Sequence, residues 1–197
     1  IKILVGTQMI TKGLDFREVG LVGVIKADSL MNFPDFRAHE RSFQTLIQVA
    51  GRSGRSSERG RVIIQTFNPG SVLLKQIIDN DFQGMYDNEI KERIKYLYPP
   101  FNRLIKITLK SKDYSNVDSS SIWMANYLKQ FLKNKILGPV SPEISKIRNL
   151  FLKQILVKYS NIGDRENTKK IISTTIKSFG SISVFRQVRV SIDVDPY

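Results

Sequence analysis

The sequence predicts an α/β protein in two parts, a first half shaped as part of a parallel, helix-covered sheet and a second half forming a small α+β domain. Three observations predict it. Short apolar runs alternate with helical patterns up to Leu97, two consecutive prolines interrupt the chain at Pro99-Pro100, and beyond them strand and helix patterns follow in the order β-α-β-β-α-β.

In the first half the apolar runs are Ile3 to Gly6, Leu21 to Lys26 and Val62 to Thr66, with a helical stretch from Phe36 to Ala50 between the last two. Near-continuous runs such as Ile-Leu-Val and Val-Ile-Ile suit strands buried on both faces, as in doubly wound sheets. Three strands are few for such a lobe. Further strands are expected before residue 1, and a chain that starts inside an apolar run without Met is expected to be a fragment. From Gly70 to Leu97 a helical extension is expected, because Val72, Leu73, Ile77 and Ile78, then Met85, Ile90, Ile94 and Leu97, return at three- and four-residue spacing. Residues 98–102, Tyr98-Pro99-Pro100-Phe101 and the residue after, form the junction. Tandem prolines end the helix and are expected to force an extended path, a stiff apolar strut between residues 1–97 and the domain at 103–197.

In that domain a strand is expected at Arg103 to Leu109 and a helix at about Val117 to Lys133, with Ile122, Ala125, Leu128, Phe131 and Leu132 on its apolar face. A strand near Leu137 to Ile147 and its hairpin partner at Leu150 to Lys158 follow. A helix from about Asp164 to Lys177 precedes the final strand, Gln187 to Val194, where Val188, Val190, Ile192 and Val194 alternate with polar residues. This is the split βαβ order, an antiparallel sheet covered by two helices on one face.

Composition narrows the function classes. Hydrophobic residues at 41% and charged residues at 25% are ordinary globular usage, and no apolar run reaches the roughly 18 residues of a membrane helix. No secretion signal opens the chain. The absence of cysteine excludes disulfides and thiolate metal sites within these residues and fits a reducing cytoplasm. His39, without a partner at ligand spacing, reads as a surface or capping residue. The net charge of +13 is unevenly placed, with 14 Lys/Arg against 11 Asp/Glu in residues 1–100 and 17 against 7 in residues 101–197. A basic second half suits a polyanion such as nucleic acid, though a merely solubilising surface has the same charge.

Two segments carry chemistry. Gln48-Val-Ala-Gly51-Arg52-Ser-Gly54-Arg55 ends a helical pattern with two arginines three apart, separated by small residues that let the backbone turn tightly. Guanidinium groups are permanently charged, present paired donors, and across a cleft can stabilise a transferring γ-phosphoryl group. The second segment, Gly6-Thr7-Gln8-Met9-Ile10-Thr11-Lys12-Gly13-Leu14-Asp15-Phe16, follows the first apolar run. Loops at the carboxyl ends of parallel strands form the ligand crevice, and this one offers hydroxyls, an amide, a lysine, a glycine and a carboxylate.

Together these segments resemble the late motifs of superfamily-two helicases. Ala27-Asp28, Pro34-Asp35-Phe36-Arg37-Ala38-His39-Glu40-Arg41, Tyr-Pro-Pro-Phe, Gly138-Pro139 and Asp193-Val194-Asp195-Pro196 extend the likeness over essentially the whole chain, to the primosomal N-prime family of replication-restart helicases. The resemblance implies a partial second RecA-like lobe and, in the complete protein, a bacterial, cytoplasmic, ATP-dependent 3′-to-5′ DNA helicase that uses ATP and Mg at stalled or forked DNA. It implies other primosome proteins, single-strand-binding protein and the machinery that loads the replicative helicase as partners. Arg52 and Arg55 match the arginines facing the phosphates, with Gly13, Asp15 and Gln48 by the nucleotide. Thr7 and Gln8 would couple that site to the DNA backbone. A phosphate loop and a Mg-binding Asp-Glu pair are absent from these residues, so the chain alone is not expected to hydrolyse ATP. The family's zinc insertion would lie before residue 1. Two other readings are a non-catalytic nucleic-acid-binding module with a motor-like fold and a double-strand translocase, the latter disfavoured by the second half.

In the basic domain, Lys106, Lys110 and Lys112 accompany the first strand, Lys146 and Arg148 precede the hairpin partner, Lys153 and Lys158 lie along it, and Arg186 and Arg189 flank the last strand. Lys146, Arg148 and Lys153 are the expected DNA contacts. Phe151 and Tyr159 interleave with these cations as either core residues or stacking platforms for bases, and Trp123 belongs to the core or to a domain interface.

Overall fold

The computed structural model describes residues 3–7, 19–53, 60–160 and 163–196. The chain forms two compact units, Ile1–Glu92 and Arg93–Tyr197, so the division falls upstream of the double proline.

In the first unit, β1 (Leu21–Val24) and β2 (Arg61–Ile64) pair in parallel, from Leu21 opposite Arg61 to Val24 opposite Ile64. Parallel pairing requires a crossover, supplied by α1 (Asp28–Met31) and α2 (Ala38–Ala50). Ser42, Phe43, Leu46 and Val49 recur on one face of α2, and Phe43 and Leu46 enter a core with Ala27, Met31, Leu73, Leu74, Ile77 and Met85. Only one face of the strand pair is covered: Val22, Val24, Val62 and Ile64 are half-buried, whereas Leu21 and Ile63 are 58% and 57% exposed. Burial on both faces is therefore corrected for the described residues. Ile3 to Gly6 is not a strand either. Residues 3–7 are irregular, and Ile3 and Val5 are 82% and 86% exposed, because no described strand pairs with them and an apolar run without a neighbour has nothing to bury against.

The expected helix over Gly70 to Leu97 is two helices, α3 (Val72–Ile78) and α4 (Phe82–Lys95). Ser71 caps α3, its hydroxyl accepting the Leu74 N–H at 3.2 Å. Asn80 ends it in a left-handed conformation, with the Asp81 N–H donating to Gln76 O at 2.8 Å, a helix-terminating geometry that asparagine tolerates. Leu97 ends α4 in the same conformation, the Tyr98 N–H reaching Arg93 O at 2.8 Å. The prolines then form a turn, closed by Phe101 N–H to Tyr98 O at 3.1 Å with the Pro99-Pro100 bond cis, where an extended path was expected.

The second unit contains β3 (Asn102–Ser111), α5 (Tyr114–Leu132), β4 (Ile136–Val140), β5 (Lys146–Ile147), β6 (Leu150–Ser160), α6 (Arg165–Ser181) and β7 (Arg189–Val194). The sheet order is β4-β6-β3-β7 with β5 pairing β6, and every pairing is antiparallel. Ile105, Ile107 and Leu109 of β3 and Ile155, Val157 and Tyr159 of β6 share one core with Val117, Met124, Ala125, Leu128 and Leu132 of α5 and Ile172 and Phe179 of α6. Both helices therefore cover one sheet face, the split βαβ topology. The apolar face of α5 is rotated from the expected one: Ile122 and Phe131 are 45% and 55% exposed, while Ser120 and Ser121 are buried. Those serines bury cheaply because their hydroxyls donate to Val117 O and Asp118 O of the same helix, at 3.1 and 2.8 Å. The strand expected over Leu137 to Ile147 stops at Val140, because the register with β6 shifts between Leu137 and Val140, where Pro139 lacks an N–H and Gly138 has φ +96°.

Candidate nucleic-acid interface

In the first unit, α2 sends Val49 inward and Gln48 outward, and its hydrogen bonds continue past Ala50: Gly51 N–H to Ile47 O at 2.9 Å, Arg52 N–H to Val49 O at 3.1 Å and Ser53 N–H to Ala50 O at 3.2 Å. Gln48 and Gly51 are exposed and Arg52 is half-buried. The local turn does not demand glycine at 51, correcting the expectation from its small size. Its φ is −67°, and a Cβ there would meet nothing closer than Ile47 O at 3.5 Å, an ordinary contact. Because β1 and β2 are parallel, α2 returns the chain toward the amino end of β2, and Gln48, Gly51 and Arg52 lie on that side. Gly54, Arg55, Gln8, Gly13 and Asp15 lie outside the described residues. Thr7 ends the irregular segment 3–7 and is exposed. The juxtaposition of the two motifs thus rests on sequence.

The segments around these motifs are held by short-range networks. Asp28 joins the loops after both strands, accepting from Thr66 Oγ1 at 2.8 Å and from the Phe67 N–H at 3.1 Å, and the Thr66 bond foremost holds its carboxyl below the usual range. Burial raises the Asp35 carboxyl, but bonds from the Arg37 N–H at 2.9 Å and its guanidinium at 3.3 Å, with Arg41 at 3.2 Å, outweigh burial and lower it. His39 Nδ1 lies 3.1 Å from the Glu89 carboxylate of α4, and that hydrogen bond raises the imidazole pKa despite partial burial.

Ten of the cations of the second unit fall into two groups. Arg103 pairs with Asp195, Lys106 with Asp193 at 3.4 Å, Lys135 with Asp164, and Lys153 with Asp118 at 2.7 Å. The Asp195 hydrogen bond raises the Arg103 pKa, and the Asp118 bond raises that of Lys153. Lys158, 8% exposed, donates to Tyr96 O at 2.6 Å and lies 3.5 Å from the Tyr98 ring centroid, and burial lowers its pKa. The strut thereby packs on the sheet of its own unit. The second group lies at the other end of the sheet. Lys110 lies opposite Arg189 in the β3-β7 ladder, Lys112 follows β3, and Lys146 and Arg148 flank the β5-β6 turn; among the described residues none of these five has a carboxylate partner. Arg148 and Asn149 form that turn with φ of 49° and 62°, and both are exposed.

Of the predicted DNA contacts, Lys146 and Arg148 are therefore exposed at this end, while Lys153 is 12% exposed and held by Asp118. Tyr159, 1% exposed, is core. Trp123 packs with Tyr127, Phe179 and Phe185 at centroid separations of 5.2, 5.9 and 6.1 Å. Phe151 is half-buried against the core, with Lys146 Nζ 4.6 Å from its centroid and the Tyr114 ring edge-on at 5.6 Å. Tyr114 was not among the sequence candidates. Its only sequence signal is an aromatic directly after Lys112-Asp113, where a cationic strand gives way to a helix.

The sequence has no Cys, and among the described residues no group of three or more His, Cys, Asp or Glu could hold a metal ion. No described helix is long and apolar enough to cross a membrane.

The fold and this charge distribution define a mixed α/β protein with a parallel strand pair in one unit and a basic split βαβ domain in the other. The domain family described as primosomal protein N C-terminal domain matches residues 95–197, and the chain belongs to that family. Over 197 aligned residues it is 39% identical to the replication restart protein PriA of Synechocystis, covering 98% of this chain and 23% of that protein. The replication restart proteins PriA of Bacillus subtilis and Thermotoga maritima are 34% and 35% identical, over 99% and 96% of this chain and 24% of each relative. The chain thus spans about a quarter of the length of the relatives it matches.

Proposed function

We propose that the chain is the C-terminal part of an ATP-dependent 3′-to-5′ DNA helicase of replication restart, comprising part of a second RecA-like lobe and a basic domain that contacts forked or single-stranded DNA. One observation carries the DNA contact: Lys110, Lys112, Lys146, Arg148 and Arg189 gather at one end of the sheet without carboxylate partners among the described residues. Phosphates can meet these cations without first breaking an ion pair. Lys146 and Arg148 are the foremost contacts, and Lys153 acts from within by bracing the surface.

In the first unit, Arg52 and Arg55 face the ATP phosphates in the complete protein. Gln48, Gly13 and Asp15 lie by the nucleotide, and Thr7 and Gln8 couple it to the DNA backbone. The exposed glycine at 51, which the local fold does not require, fits close approach of an opposing surface. Bound ATP with Mg supplies the phosphoryl group whose developing charge the guanidinium groups stabilise. Any zinc is held outside these residues, and single-strand-binding protein, other primosome proteins and the helicase-loading machinery are the partners this reading implies. It also places the protein in the bacterial cytoplasm.

The test is DNA-stimulated ATP hydrolysis by the complete protein carrying Arg55→Ala or Arg52→Ala. Arg55→Ala is expected to lower kcat by about 10³-fold or more, the range for a phosphate-facing arginine, with DNA binding retained. Wild-type turnover would leave the non-catalytic binding module as the better reading.

A further inference from the structure

We propose that the exposed face of Tyr114, backed by Phe151, is a stacking platform for an unpaired base, so that the basic end of the sheet prefers single-stranded DNA to duplex. The inference rests on the DNA-contact reading and specifies its substrate.

Tyr114 opens α5 and is 52% exposed, whereas Trp123, further along the same helix, packs against the core. The ring is braced. Phe151 meets it edge-to-face at 5.6 Å with an interplanar angle of 79°, and Lys153 Nζ lies 5.4 Å from its centroid while tied to Asp118 at 2.7 Å. An aromatic ring fixed on one side and open on the other loses little freedom when a base stacks on it. The acidic residues nearby are already engaged, since Asp113 accepts the Ser115 N–H at 2.9 Å and Asp118 is paired with Lys153. Lys112 lies two residues before Tyr114, and Lys146 stands over Phe151 at 4.6 Å, so cations for flanking phosphates sit beside the ring. A base within a duplex has both faces covered by its neighbours and cannot use the platform. If Tyr114 merely closes the end of the core over Phe151, its removal affects packing and leaves strand preference unchanged.

The experiment measures binding of the 197-residue chain to labelled oligo(dT) and to a blunt duplex of equal length at fixed salt, with folding checked by circular dichroism. The unaltered chain is expected to favour oligo(dT). Tyr114→Ala should weaken oligo(dT) binding by about 5- to 100-fold, the loss of one stacked base, and duplex binding by less than about twofold. Tyr114→Phe should restore oligo(dT) binding, and Arg189→Ala should weaken both ligands. Should Tyr114→Ala not fold, Tyr114→Leu keeps an apolar contact with Phe151 and removes the flat face. No loss, equal loss on both DNAs, or a duplex preference in the unaltered chain overturns the platform. Binding of neither DNA by the unaltered chain overturns the DNA-contact reading itself.

Discussion

Salt dependence separates cations that meet phosphates from cations spent within the fold. The second unit offers Lys110, Lys112, Lys146, Arg148 and Arg189 without carboxylate partners among the described residues, whereas Arg103, Lys106 and Lys153 are held by Asp195, Asp193 and Asp118. Each phosphate neutralised on a single strand releases about 0.7 counterion, so five contacts give a slope of log K against log salt of about −3.5. A fourfold rise in salt then weakens binding roughly 100-fold. Removing two contacts with Lys112→Ala and Arg189→Ala should reduce the slope to about −2, and the same salt step should cost only about 20-fold. Lys106→Ala is expected to leave the slope near its original value, because that ammonium is already 3.4 Å from Asp193. Fluorescence anisotropy of labelled oligo(dT) at several salt concentrations measures all three slopes. Equal slope losses for Lys106→Ala and Arg189→Ala would refute the reasoning, as would a slope shallower than about −1 for the unaltered chain.

Two further outcomes follow from the geometry. Gly138→Ala should destabilise the second unit by about 2–4 kcal/mol in denaturant unfolding, because at φ +96° a Cβ would sit 2.8 Å from the Gln154 carbonyl oxygen, joining a left-handed penalty to a backbone clash; a change below about 1 kcal/mol would show that this edge of the sheet yields. His39, the single histidine in the sequence, should titrate by NMR above 6.5, and Glu89→Gln should return its midpoint toward that value. A raised folded-state pKa stabilises below the unfolded value and is lost as pH rises through the folded one, so the contribution to the first unit should fade as pH rises through that raised midpoint. With 57% of the side chain exposed it should stay well under about 1 kcal/mol, and an unshifted midpoint would contradict the pairing.

Much of the second unit is legible from local pattern. The strand at β3, the helix at α6 and the split βαβ order follow from runs and spacings that a sheet or helix must bury. The continuous helix over Gly70 to Leu97 fails because apolar spacing runs on across Asp79-Asn80-Asp81, whose side chains and left-handed tolerance end one helix and start another. The rotated face of α5 fails for a related reason. Serines that bond their own helix look polar in sequence and bury like small apolar residues.

The sequence by itself determined the family, the two-part organisation, the Gln-x-x-Gly-Arg-x-Gly-Arg motif and the basic character of the second half, because each resides in residue identity and short-range spacing. Tertiary structure alone decided which cations remain available. Asp193 and Asp195 reach Lys106 and Arg103 only through the antiparallel register of β3 with β7, and the same register sets Lys110 beside Arg189. It likewise decided the aromatics: alternation along β6 puts Tyr159 on the core face once its neighbours are paired, while Tyr114, in the first turn of α5, stays half exposed at the basic end.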